Sequence, residues 1–305
     1  MGHVVIITGT LILIAAIVCL IKQNFREKVA AWFAEKSYRI WFLPLMFLSY
    51  YSILTLAVSQ WQIDMFLGLA LYFGFPTLIL FLRGRHNGPA DLFDFLIVLS
   101  LWLPVELRLI QKGWVAVSIG EHSLKYPLSV FTAVVYALIV FTGWRKIKLD
   151  CHWSLKWSDV KRIGLVFLIL SVVIIPIAAQ IGFVKFGIAK VVYEYYWALP
   201  LVLGLFFFAP AFPEELIFRG LLQGLINTRT KTFVALILGS LIFGFAHINN
   251  SVDEFKPPNY TYICFATIAG LGYGYVYLRS KSLVASAMLH ALVDFIWMIT
   301  MRGGG

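Results

Sequence analysis

The sequence predicts an all-α polytopic transmembrane helix bundle of about 8–10 spans, and three observations carry that prediction. Of 305 residues, 61% are hydrophobic and 13% charged, whereas soluble domains hold roughly a quarter charged residues and under half apolar ones. The apolar residues fall in long unbroken runs close to the roughly 20 residues that carry a helix across a bilayer. The Lys and Arg residues cluster between those runs, where loop charge sets membrane orientation. Disorder is excluded by the amount of apolar surface. A β-barrel is excluded because its strands alternate over about ten residues. The net charge of +10 is a loop property and does not point to nucleic acid.

Ten runs can be read in order, at about 4–21, 40–58, 63–82, 92–110, 127–144, 160–182, 196–226, 233–248, 260–278 and 283–300. The first, VVIITGTLILIAAIVCLI, lacks a basic leader and a small-residue cleavage site, so it reads as a retained span and not a signal peptide. With an extracytoplasmic N-terminus, about 17 of the 25 Lys and Arg lie in inner loops and about 7 in outer segments, with Arg219 inside a span. That bias favours both termini on the outer side. Trp32, Trp41, Trp61, Trp114, Trp144, Trp153, Trp157 and Trp197 fall near span ends, where amphipathic rings favour the interface. Cys19, Cys151 and Cys264 are too scattered for a metal knuckle or a disulfide framework.

A charged group deep in a bilayer is costly, so intramembrane ionisable residues are candidates for function. In the early spans they are few. Asp64, Asp91 and Asp94 lie near span ends and are expected to reach water, and Glu106 and Arg108 sit at the outer end of the fourth span. His3, His86, His122 and His152 fall outside the apolar runs.

The last hundred residues differ. The segment Phe208–Gly220 sets Glu214, Glu215 and Arg219 in an apolar helix, behind Pro210 and Pro213, which are expected to break or kink it. Glu215 and Arg219 are four apart and can pair on one face. Glu214 is rotated about 100° away, so one carboxylate is held by the arginine while the other can face a cavity. Phe243 and His247 close the eighth run, and His290 and Asp294 share one face of the last. At about 1.5 Å per residue, Glu214, His247, His290 and Asp294 lie roughly 18, 21, 11 and 17 Å from the inner ends of their spans. These depths overlap within a hydrocarbon core about 30 Å thick.

A buried carboxylate and a histidine can take a proton from water, and a second histidine can donate to a developing oxyanion. Such a set suits hydrolysis of a peptide bond beside the membrane. A Zn²⁺ site built on Glu214, His247 and His290 is the competing chemistry, although no HExxH helix is present. Serine or cysteine nucleophiles are disfavoured, because Cys264 and Ser286 have no motif around them. A transporter would also use midplane carboxylates, but commonly in paired repeats, and a non-catalytic scaffold is the third reading.

Glu-Glu-x-x-x-Arg at Glu214, Glu215 and Arg219, Phe-x-x-x-His at Phe243 and His247, and His-x-x-x-Asp at His290 and Asp294 together resemble the CAAX protease and bacteriocin-processing (Abi) family of intramembrane proteases. The resemblance spans about 196–300. It implies a glutamate-type mechanism in which Glu214 with His247 activates water, while His290 and Asp294 stabilise the oxyanion or position the substrate. Glu215, Arg219 and Phe243 would shape the site. It implies a membrane-anchored protein or peptide as substrate and no cofactor, with zinc as the alternative. One position departs from the family's asparagine form: an ionised Asp294 cannot donate a hydrogen bond, so it either carries a proton or orients His290. On this reading 191–305 is the protease core and 1–190 an N-terminal transmembrane region of unknown role, with recruitment of a partner or substrate as one hypothesis.

Overall fold

The computed structural model describes residues 2–84, 88–107, 109–110, 117–119, 122–124, 126–147 and 155–301. Arg108, Trp114, Cys151, Trp153, His86 and His152 lie outside the described residues, as do the side chains of His3 and His122. The chain forms two compact units, Met1–Leu149 and Asp150–Gly305. The second unit begins before residue 191, because the long helix at 157–180 packs on the last two helices.

In the first unit, α1 (Gly2–Ile21) leads into α2 (Gln23–Glu35), followed by α3 (Phe42–Ala57), α4 (Ile63–Arg83) and α5 (Leu92–Glu106). A small antiparallel hairpin, β1 (Val117–Ile119) and β2 (His122–Leu124), precedes α6 (Tyr126–Ala137), which widens into a π-helical stretch ending at Trp144. Phe47 and Phe73 stack at 4.6 Å, and Tyr136 shares a 2.7 Å hydrogen bond with Thr77.

The start of α5 corrects one sequence expectation. Asp91 caps the helix by accepting from the Phe93 and Asp94 amides at 3.0 and 3.3 Å. Asp94 does not reach water but is fully buried. Arg145 Nε and Nη2 each donate to it at 2.6 Å, and Arg83 Nη1 at 3.0 Å. A forked guanidinium replaces the lost hydration of the carboxylate. Trp144, at the end of the π-helical stretch, is 2% exposed, whereas Trp157 and Trp197 are each 69% exposed.

In the second unit, α7 (Trp157–Gln180) is followed by the short α8 (Val191–Glu194). A nearly continuous helical rod then runs through α9 (Leu199–Phe206), α10 (Phe212–Glu215) and α11 (Gly224–Asn227). π-helical stretches at Phe207–Ala211 and Leu216–Gln223 separate its three α segments. α12 (Thr232–Ala246), α13 (Tyr260–Ser280) and α14 (Leu283–Thr300) complete the unit. The prolines at 210 and 213 do not break the rod. The missing proline amide is absorbed by a locally wider turn, a device often found at functional sites.

Among the described residues, seven helices are long and apolar enough to cross a membrane: Val4–Ile21, Ser37–Ala57, Ile63–Arg83, Trp157–Gln180, Tyr196–Asn227, Tyr260–Ser280 and Leu283–Thr300. At the other three expected spans the helices are shorter. α5 and α12 have 15 residues each, about 22 Å of helix against a core of about 30 Å. The chain is a multi-pass integral membrane protein of all-α architecture. Its outward faces agree: Leu71 and Leu82 are each 74% exposed, a cost in water and none in lipid.

Small residues bring α12 and α13 together. A Cβ on Gly244 would lie 2.0 Å from Thr267 Oγ1 and 2.7 Å from the Ile263 carbonyl oxygen. One on Gly270 would lie 3.1 Å from both Arg219 Nη2 and Phe243. Close backbone approach through glycine is how helices associate in lipid. Gly244→Ala is therefore expected to lower stability by about 1–3 kcal/mol, because a carbonyl cannot swing aside. Thermal unfolding in detergent checks this, and an unchanged midpoint would show that the helices part freely.

Candidate active site

The site lies in the second unit and is built around Glu215. This residue ends α10 between the two π-helical stretches, and its side chain is fully buried. Arg219 Nε lies 3.2 Å from its Oε2. Arg219 Nη1 donates to the Gly239 carbonyl at 3.3 Å, and the guanidinium sits 4.7 Å from the Phe243 ring centre. The arginine thus ties α10 to α12 through charge, hydrogen bond and ring.

Glu215 reaches α14 as well. Its Oε1 lies 3.0 Å from His290 Nδ1, and its Oε2 lies 2.5 Å from Ser286 Oγ. Ser286 Oγ is also 2.8 Å from the Tyr273 carbonyl, and its single proton can serve one acceptor at a time. Tyr273 stacks on the His290 ring at 4.5 Å and 16°, while Phe243 meets that ring edge-on at 5.6 Å. His290 is therefore held by a stacked ring, by an edge-on ring and at Nδ1.

Its other nitrogen is turned to two more carboxylates. Nε2 lies 3.5 Å from Asp294 Oδ2 and 3.8 Å from Glu214 Oε2. Both distances are long for a direct hydrogen bond but within ion-pairing reach. The Glu214 and Asp294 side chains keep 25% and 27% exposure, in contrast to the sealed Glu215.

His247 caps the end of α12, and its Nδ1 lies 2.9 Å from the Phe243 carbonyl. A carbonyl only accepts, so Nδ1 carries the proton, and in the neutral ring Nε2 is left as an acceptor. The ring stacks on Tyr262 at 5.0 Å. Tyr262 belongs to an aromatic group with Phe183 and Trp297. That group is pinned where the segment 185–189 donates backbone hydrogen bonds to Met301, Thr300 and Ile299 at 3.2, 3.0 and 2.9 Å.

A cavity of about 120 Å³ opens among these groups. His247, His290 and Asp294 line it together with Phe243, Tyr273 and Tyr262, and the rest of its wall is largely apolar, including Leu170, Ile174 and Phe265. Glu214 does not line it and touches the group through His290. The structure thus brings Glu214, Glu215, Arg219, Phe243, His290 and Asp294 into one connected cluster. His247 joins through Phe243, whose ring is 4.7 Å away, and through the shared cavity.

Two partners escaped the sequence reading. Ser286 had a signal, since it lies four residues before His290 on the same helix face. Tyr273 had none, because its place over His290 depends on how α13 and α14 pack. Among the described residues, no group of three or more His, Cys, Asp or Glu side chains is arranged to hold a metal ion. The Nδ1 atoms of both histidines are engaged with Phe243 and Glu215.

Residues 195–296, about a third of the chain, match the family model described as Type II CAAX prenyl endopeptidase Rce1-like. The matched stretch holds every residue of the cluster and agrees with the likeness carried by the three motifs. It supports a CAAX-protease-like peptidase acting on a membrane-associated protein in a bilayer. No curated protein and no solved structure matches the chain.

Proposed function

We propose that the protein is an intramembrane endopeptidase that hydrolyses a peptide bond of a membrane-associated protein or peptide, using a water activated by Glu214 and His247. The observation that carries the reading is the fixed orientation of His290. Its Nδ1 is committed to the buried Glu215 at 3.0 Å, which leaves Nε2 to Asp294 and Glu214 at 3.5 and 3.8 Å, and the residue lines the cavity.

From that frame the roles follow. Glu214 is partly exposed and is not sealed by the arginine, so it can take a proton from water and later return it to the leaving amine. His247 offers Nε2 as a second acceptor and holds the water in line. His290, donating from Nε2, would stabilise the oxyanion of the tetrahedral intermediate. Asp294, 3.5 Å from that nitrogen, supports the reading in which it orients His290 and does not itself donate. Glu215 and Arg219 are neutralised against each other and position the imidazole. The apolar wall excludes bulk water, which strengthens each of these interactions.

The test compares membranes containing wild-type protein with membranes containing Glu214→Gln. A new peptide terminus should appear with the wild type and be absent with the variant, at equal protein levels. If the two sets of termini are the same, the peptidase reading fails.

Ser286 gives a separate expectation. It supplies Glu215 with a charge-assisted hydrogen bond, and such bonds contribute about 1.5–3 kcal/mol. Ser286→Ala should lower stability by about that amount and loosen His290. Unfolding in detergent measures the first effect and turnover the second. A variant equal to wild type in both would show that the serine prefers the Tyr273 carbonyl.

A further inference from the structure

The first unit holds a cavity that the peptidase reading does not use. α1, α2, α3 and α6 line an open apolar space of about 830 Å³, with Leu13, Ala16, Trp32, Phe42, Phe47 and Val135 among its walls. Its size is within the roughly 300–1,000 Å³ of pockets that take a small ligand. Beside it, at the α1–α2 junction, is a second recess lined by Lys22, Gln23, Asn24, Phe25 and Lys28. Phe25 lines both, so the basic recess adjoins the apolar one.

The charges around the recess are unbalanced. Lys22, Arg26, Lys28, Lys36 and Arg39 face only Glu27 and Glu35 along the same stretch. Both acids are engaged: Gln23 Nε2 donates to Glu27 at 2.8 Å, and Arg39 pairs with Glu35 at 2.5 Å. Arg26 is turned to the Ile21 carbonyl at 3.4 Å. Among the described residues, no carboxylate lies within ion-pairing distance of Lys22 or Lys28. No side chain caps the first amides of α2.

A cationic recess that shares Phe25 with an apolar cavity, at the level where a span ends, is complementary to an amphiphile with an anionic head. We infer that this site binds an anionic glycerophospholipid. Its phosphodiester lies against Lys22, Lys28 and the start of α2, and one acyl chain fills the cavity between α1, α2, α3 and α6. The site is independent of the cluster around Glu215, so it stands or falls apart from the peptidase reading.

The full-length protein, purified in mild detergent, is mixed with equal parts phosphatidylcholine and phosphatidylglycerol, and retained lipid is counted by native mass spectrometry. Wild type should hold phosphatidylglycerol in preference to phosphatidylcholine by roughly tenfold or more. The double variant Lys22→Gln, Lys28→Gln, both exposed and so neutral for folding, should lose that preference. Ala16→Phe, which fills the cavity from α1, should retain less of both lipids while keeping both lysines. Equal retention of the two lipids by wild type, or an undiminished preference in the lysine double variant, overturns the proposal. Undiminished retention by Ala16→Phe overturns the placement of the acyl chain.

Discussion

Arg219→Met is expected to destabilise the second unit by about 3–5 kcal/mol, the cost of removing one partner from a buried ion pair. Arg219 and Glu215 are both fully buried, and no water can replace the guanidinium. Methionine keeps much of the volume beside Phe243 and Gly270, so the loss isolates charge from packing. Ser286 and His290 remain on the Glu215 carboxylate and place the expected value toward the lower end. Adding Glu215→Gln to Arg219→Met removes the stranded charge and should restore part of the loss, because replacing both partners is cheaper than removing one. Heat unfolding in detergent reads all three proteins. If the single variant melts with the wild type, the pair is not the anchor described here. If the double variant is the sum of its parts, the two side chains do not act together.

Glu214→Gln and His247→Gln are each expected to lower turnover by about 10²–10⁴, the usual contribution of a positioned acid–base group. The substrate for that assay is the peptide terminus found by comparing membranes. Neither side chain is the buried anchor of the fold, so the purified variants should keep the wild-type melting profile. The informative protein is the double variant. If both groups act on one water, removing the second after the first costs little, and the double variant should be no slower than the slower single by more than a few-fold. Losses that multiply would mean that the two residues serve different steps, and the shared-water mechanism would have to be abandoned.

Much of this molecule is legible from side-chain type alone. Long apolar runs define where helices form, and every expected span coincides with a helix. The pairing of Glu215 with Arg219 follows from their spacing, and so does the placement of His290 and Asp294 on one helix face. The shortness of α5 and α12 was not legible, because run length does not register where a cap or a loop ends the hydrogen-bond ladder. Asp94 was misjudged for a related reason. Its position near a span end suggested water, while its partner Arg145 is 51 residues away in sequence.

Composition and spacing are enough to establish that the protein crosses the membrane many times, and which acidic, basic and imidazole groups must be shielded there, because each charge in lipid demands a partner. Who the partners are is set by packing. His290 is next to both Glu215 and Asp294, and it is Glu215, 75 positions away, that takes its Nδ1 at 3.0 Å, while Asp294 on the same helix stands at 3.5 Å. Spacing along a helix fixes which residues share a face. Which face meets which neighbour depends on the wide turns on either side of Glu214 and Glu215 and on glycines that let α12 and α13 touch, and those are properties of packing.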